Sequence, residues 1–285
     1  MDSVEKNRVE PSTLYLVATP IGNLADMSER AIKVLSGVDF VAAEDTRNSM
    51  RLLMCFGIKK ELVSYYEHNK AKSGDKILAR LLSGESCALI TDAGMPAISD
   101  PGEDIVVLCA KAGIRVLTVP GCCAAVSALS LSGLPTGRFC FEGFLSAHKG
   151  ERARQLEGLK GEERTMIFYE APHKLRSTLS DMKEILGEDR RIALCRELTK
   201  LNEETERTTL GGACAIYEER EPRGEYVLVV EGAGKVAPSD NPLCELSPKE
   251  HVEFYINNGM ERKDAIKAAA KDRGMPKSDF YKLLI

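Results

Sequence analysis

Three observations predict a two-domain α/β protein with a short helical tail. Short apolar runs alternate with amphipathic helical patterns, and several runs end in breaks rich in Gly, Pro or Asp. The alternation restarts after the turn-rich stretch Gly133-Leu134-Pro135-Thr136-Gly137. Beyond a polar segment at 232–247, three short helical patterns close the chain. The expected division is 12–135 for the first domain, 136–233 for the second, 234–247 for a linker and 248–285 for the helical piece.

Residues 14–19 read as the first strand. Ser28 can N-cap a helix through Ala31, Ile32, Val34 and Leu35 that stops near Gly37. Residues 40–43 form the second strand, followed by a helix at 46–56 ending at Gly57. A weaker strand at 62–64 precedes a helix at 75–82, where Ile77, Leu78, Leu81 and Leu82 share a face. Strand 87–90, helix 103–112, strand 115–119 and a small-residue helix at 122–132 complete the first half. Strands alternating with helices imply βαβ units and a mainly parallel sheet. In the second half, strands are expected at 139–143, 166–169, 192–197, 204–209 and 226–231, with helices at 151–159, 174–186 and 213–219. The tail reads as helices at 248–258, 262–272 and 277–284.

Composition narrows the function. With 44% hydrophobic and 29% charged residues and a net charge of −4, the whole molecule is no electrostatic trap for nucleic acid. An RNA substrate needs a local patch. The nine cysteines include no CxxC pair and suit free thiols in a reducing cytosol. No stretch approaches the ~18 apolar residues of a membrane span, and the first dozen residues lack a signal-peptide core, so a cytoplasmic protein is expected.

Three breaks after apolar runs suggest one cleft, because ligands of open α/β sheets lie beyond the carboxyl ends of the strands. These are Thr19-Pro20-Ile21-Gly22, Thr91-Asp92-Ala93-Gly94-Met95-Pro96-Ala97 and Pro120-Gly121-Cys122-Cys123-Ala124. Glycines there either admit a ligand or simply turn the chain. None matches G-x-G-x-x-G or the Walker loop, which disfavours dinucleotide redox chemistry and P-loop phosphoryl transfer. Glu44-Asp45-Thr46-Arg47 could bind a polar substrate and hold a base, or Asp45 could cap the next helix; the two are compatible. Tyr65-Tyr66-Glu67-His68-Asn69-Lys70 could stack an unstacked base or be a solvated loop. The cations of 146–154 could meet phosphates, or Arg152 could pair with Glu151. Phe168-Tyr169-Glu170-Ala171-Pro172-His173-Lys174 and Arg196-Glu197-Leu198-Thr199-Lys200 set charges at strand ends, without a G-x-S-x-G elbow.

Taken in order, VATPIGNLADMSERA, AAEDTR, ITDAGMPAISDPG, VPGCCAAVSAL, GLP-x-x-RF-x-x-EGFL, RTMIFYEAPHKL and RELTK resemble the tetrapyrrole-methylase superfamily of S-adenosylmethionine-dependent methyltransferases, over about residues 14–231. TPIGNL and DAGMP look like the branch that 2′-O-methylates a cytidine in the decoding region of 16S rRNA, rather than the macrocycle methylases with GxGPG-like and GGDP-like loops. The resemblance implies a mainly parallel first sheet, a mixed second sheet, a donor bent between the domains, a homodimer, and a C-terminal helical appendage. It assigns Pro20, Ile21, Gly22, Asp92, Ala93, Gly94, Ala97, Cys123 and Ala124 to the donor, with Glu170 and Leu198 closing over it. Asn48, Met95 and Cys122 depart from the usual residues of that pattern.

On this reading Asp45 is the first candidate for the base that takes the ribose proton, followed by Lys200 and Glu197. Arg47, Lys149, Arg152 and Arg154 would hold phosphates and His68 would orient the nucleotide, with no metal required. The net charge points to the assembled small ribosomal subunit over naked rRNA as the partner. The tail, with eight Lys/Arg against six Asp/Glu from residue 248 onward, is too balanced to name as an RNA arm. Competing readings are a methylase of a small tetrapyrrole-like substrate and an inactive donor-binding scaffold.

Overall fold

In the computed structural model, which describes residues 8–234, 241–275 and 277–284, the first half builds a five-stranded parallel sheet. Its strands are β1 (Thr13–Val17), β2 (Phe40–Ala43), β3 (Glu61–Ser64), β4 (Cys87–Ile90) and β5 (Arg115–Val119), in the order β3-β2-β4-β1-β5. β2 and β4 are buried throughout, as apolar runs covered on both faces must be. β3 lies at the edge and is half open to solvent, which explains its weak apolar signal. The helices are α1 (Glu29–Gly37), α2 (Thr46–Cys55), α3 (Lys70–Leu82) and α4 (Gly102–Lys111). Alternate strand residues feed two cores: Tyr15, Val41 and Ala88 pack with Val34 and Leu35 of α1, and Leu14, Phe40 and Leu89 pack with Ile77 of α3 and Ile105 of α4.

α5 (Ala124–Ser132) packs differently from the expected domain division. Its buried residues Ala125, Ala128, Leu129 and Ser132 follow an i, i+3, i+4, i+7 stripe. That stripe lies against Ile167, Ala193, Val227 and Val229 of the second sheet, not against the first. By packing, α5 therefore groups with the second sheet although it precedes residue 136. The expected fold class holds, with a mixed second sheet: β6 (Phe139–Phe144) runs parallel to β7 (Thr165–Glu170), and β10 (Tyr226–Val230), β8 (Arg191–Arg196) and β9 (Glu204–Thr209) follow in antiparallel pairs, giving β6-β7-β10-β8-β9. Its other face is covered by α6 (Lys149–Leu159), α7 (Pro172–Leu186) and α8 (Leu210–Glu219).

Helices α3, α6, α7 and α8 all start earlier than the apolar pattern indicates, because their first turns are polar or cap-forming. Thr209, for example, caps α8 by accepting from the Gly212 N–H. Much of the expected linker, residues 235–240, lies outside the described residues; a short 3-10 turn (Pro242–Cys244) follows. Ser247 and Glu250 then form a capping box for α9 (Pro248–Asn257). With α10 (Arg262–Asp272) and α11 (Lys277–Lys282) it encloses a separate core of Val252, Ile266, Ala269 and Phe280. Among the described residues, no helix is long and apolar enough to cross a membrane.

Candidate active site

All five strands of the parallel sheet point their carboxyl ends to one edge, and their loops are tied together there. Thr19 and Gly94 exchange backbone hydrogen bonds of 2.9 and 3.1 Å, joining the loop after β1 to the loop after β4. The buried Thr19 hydroxyl also donates to the Thr91 carbonyl at 3.1 Å. The second sheet closes over this edge. A β-carbon at Gly22 would sit 2.5 Å from Lys200 Cγ and 3.1 Å from the Leu198 carbonyl, so only glycine lets the first loop pass beneath the segment after β8.

Between the two walls lies a cavity of about 510 Å³, within the ~300–1,000 Å³ usual for small-ligand sites. The first wall contributes Ile21, Glu44, Thr91, Asp92, Ala93 and Gly94, continuing to Asp100. The second contributes Cys123 and Ala124 from α5, Phe144, Tyr169 and Glu170 from the ends of β6 and β7, Leu198 and Lys200 after β8, and Glu225 before β10. Of five non-glycine residues with positive φ among those described, Ala97, Ser99, Glu197 and Thr199 belong to the two loops that face each other here. Such strain persists only where the surroundings impose it, and it is concentrated at this site.

The acids differ in state. Partial burial raises the pKa of Glu44, and neighbouring Asp92 and Asp100 raise it further; Thr91 Oγ1 lies 3.4 Å from its carboxylate. Burial also raises Asp100, whose Oδ1 accepts the Ala97 and Gly102 N–H groups at 3.0 and 2.7 Å while its buried Oδ2 has no partner. Asp45 is the helix cap. Its Oδ1 accepts the Arg47 backbone N–H at 2.8 Å and both its oxygens receive the Arg47 guanidinium, which holds its pKa at about 2. Its carboxylate is not part of the cavity lining.

Lys200 is a fixed cation. Burial opposes its charge, but its ammonium donates to Glu197 and Glu225 at 2.8 Å each, and the net shift is upward. The expectation that a deprotonated Lys200 serves as base is therefore at odds with its surroundings. Glu197, paired with Lys200, is held below the usual carboxylate range and lies just outside the lining. Glu170 is buried, accepting from the Ala171 N–H at 2.8 Å and from the Thr178 hydroxyl.

Of the donor residues expected from the sequence, Ile21, Asp92, Ala93, Gly94, Cys123, Ala124, Glu170 and Leu198 come together around the cavity. Pro20 and Gly22 border a smaller pocket of about 220 Å³ that shares Thr91 and Asp92 with it. Ala97 sits in the same loop beside the lining. Arg47, His68, Lys149 and Arg154 are exposed outside it. Arg152 must be corrected. It is 4% exposed, its guanidinium bonded to Asp181 at 2.6 Å and to the Ser146 carbonyl at 3.1 Å, so it secures α6 on α7 and meets no phosphate. It shares the inward face of α6 with Leu156, four residues on, a placement its sequence neighbours do not reveal. Asp100, Phe144 and Tyr169 line the cavity without an expected role, although the DAGMPAISD, EGFL and FYEAPH motifs contain them, and in EDTR it is Glu44 rather than Asp45 that borders it.

A family profile described as tetrapyrrole (corrin/porphyrin) methylases matches residues 13–214. The ribosomal RNA small subunit methyltransferase I of Halalkalibacterium halodurans is 50% identical over 279 residues, covering 98% of this chain and 96% of that protein. Its Bacillus subtilis counterpart is 50% identical over 270 residues, covering 94% and 92%. Among solved structures, cobalt precorrin-4 methyltransferase aligns with a TM-score of 0.57 at 16% identity, covering 77% of this chain and 95% of that one. Uroporphyrin-III C-methyltransferase from Thermus thermophilus, complexed with S-adenosyl homocysteine, aligns at 0.53 and 15% identity, covering 77% and 96%. At those identities the two structures speak for the fold. The chain belongs to the tetrapyrrole methylase family, and within it to the branch of the ribosomal RNA small subunit methyltransferases I.

Proposed function

We propose that this protein methylates the ribose 2′-hydroxyl of a cytidine in the decoding region of 16S rRNA, on the assembled small ribosomal subunit, with S-adenosylmethionine as donor. The observation that carries the reading is 50% identity over nearly the whole chain to ribosomal RNA small subunit methyltransferases I, joined to a two-walled cavity at the carboxyl edge of the parallel sheet. The cavity fits the donor. Its walls are largely apolar, and Glu44, Asp92 and Asp100 give them negative charge that suits a cation. A homodimer and a cytoplasmic location belong to the same reading.

When bound, S-adenosylmethionine supplies a methyl group already activated on a sulfonium. The chain must then align, exclude water and move one proton. Ile21, Gly94, Cys123, Ala124 and Leu198 supply shape, and rigid alignment of reactants lowers a barrier by ~7–11 kcal/mol in ideal cases. A ribose hydroxyl needs a base, worth roughly 10²–10⁴-fold. We assign that base to Glu44 ahead of Asp45 and Glu197. Glu44 borders the cavity with a raised proton affinity, whereas Asp45 is engaged by Arg47 and Glu197 by Lys200. Exposed Arg47, Lys149 and Arg154 remain for phosphates and His68 for nucleotide orientation.

The direct test incubates small subunits from cells lacking the enzyme with purified protein and methyl-labelled S-adenosylmethionine, then digests the RNA for mass spectrometry. One 2′-O-methylcytidine per subunit is expected. No incorporation while the donor still binds would transfer the activity to a small macrocycle or leave an inactive scaffold.

A further inference from the structure

The EGFL motif ends β6 in a way the fold alone does not require. The pairing of β6 with β7 slips between Phe141 and Gly143, a bulge, and Gly143 takes φ +64°. Bulges re-aim side chains and are common beside active sites. The bulge also sets Gly143 against the opposite wall, where its β-carbon would lie 3.3 Å from Ser99 Oγ. The next residue, Phe144, borders the cavity yet is 58% exposed.

Phe144 is braced rather than loose. Its ring and that of Tyr169 form a T-shaped pair at 5.5 Å and 61°, and Tyr169 forms a second with Phe141 at 5.0 Å and 68°. Even so braced, more than half of Phe144 stays open to solvent at the mouth. By contrast, Ile21, Gly94, Cys123, Ala124 and Leu198 are buried or half-buried in the interior. Glu44, Asp92 and Asp100 make the first wall hostile to phosphate, whereas exposed Lys149 opens α6 five residues after Phe144, with exposed Arg154 farther along that helix.

We propose that Phe144 is the stacking platform for the base of the acceptor nucleotide, holding it at the mouth while its ribose enters the cavity. This deepens the proposed function and rests on it. Stacking on an aromatic tolerates any base, so Phe144 provides position, with nucleotide identity set elsewhere.

The test compares wild type with Phe144→Ala, Phe144→Leu and Phe144→Tyr, measuring kcat/KM on small subunits and donor Kd by calorimetry. F144A is expected to lose roughly 5- to 150-fold in kcat/KM, the fold-equivalent of ~1–3 kcal/mol per stacked base. F144L should fall nearly as far, F144Y should stay near wild type, and donor Kd should change by less than about twofold across the series. Unchanged F144A kinetics, or F144L equal to wild type, overturns the stacking role. A donor Kd that weakens in step with kcat/KM overturns it too, assigning Phe144 to the donor's adenine. Wild type that binds donor but leaves subunit RNA unmethylated defeats the proposed function, and this role with it.

Discussion

The two walls of the cavity are built by different rules. The first comes from an all-parallel sheet, where every strand delivers its carboxyl end to the same edge and loops far apart in sequence converge. The second comes from a mixed sheet, which contributes the ends of β6, β7 and β8 but the start of antiparallel β10. Their chemistry differs as well. The first wall carries Glu44, Asp92 and Asp100, with Glu44 and Asp100 shifted toward the protonated form. The second carries aromatics, and a lysine whose charge two glutamates balance. On the proposed function, proton chemistry belongs to the parallel sheet, shape to both walls, and closure to the mixed sheet.

The sharpest way to break that contrast is to neutralise a charged group on each wall. Glu44→Gln is expected to lower kcat by roughly 10²–10⁴-fold with donor Kd nearly unchanged. Asp45→Asn keeps a capping side chain and should leave kcat within a few-fold. Lys200→Met should weaken donor binding more than it lowers kcat. Because Glu44 must be ionised to accept a proton and its pKa is raised, kcat should climb with pH through a value above the ordinary 4.5 and level off beyond it. A collapse of kcat in Lys200→Met alone would reverse the assignment of the walls.

A second comparison lies behind the mixed sheet. Arg152→Ala strands Asp181 without its buried partner and should cost ~3–5 kcal/mol, read as a lower Tm and denaturation midpoint. Lys149→Ala, on an exposed position of the same helix, should leave Tm almost unchanged and instead weaken subunit binding in a salt-dependent way. Equal Tm losses would mean that the surface position is as structural as the buried one.

The seam between the walls offers a third test. Gly22→Ala inserts a methyl group against Thr199, Lys200 and the Leu198 carbonyl, so the walls must part. A stability loss of ~1–3 kcal/mol with weaker donor binding is expected by denaturant titration and calorimetry. An unaffected donor Kd would show that closure of the seam is not needed for the ligand.

Legibility followed burial. β2 and β4 are legible to the residue because apolar runs bounded by polar turns advertise themselves. Eight of the eleven residues that the resemblance assigns to the donor also line the cavity. Charged groups were not legible. Arg152, Lys149 and Arg154 look alike in the sequence, yet only one turns inward to an aspartate 29 residues away. In EDTR, Glu44 and Asp45 are neighbours of like charge. Which one faces the cavity depends on Asp45 turning back to cap α2 and hold Arg47.

Residue order by itself determined the alternation of strands and helices, the position of the turn-rich breaks and the motifs of the family, because periodicity and local backbone preference act over a few residues. Tertiary structure alone decided that α5 covers the second sheet, that Lys200 pairs with both Glu197 and Glu225, and that a bulge turns Phe144 to the mouth of the cavity. Those outcomes rest on burial and on charges brought together from distant parts of the chain, and a side chain's state follows from what surrounds it in space.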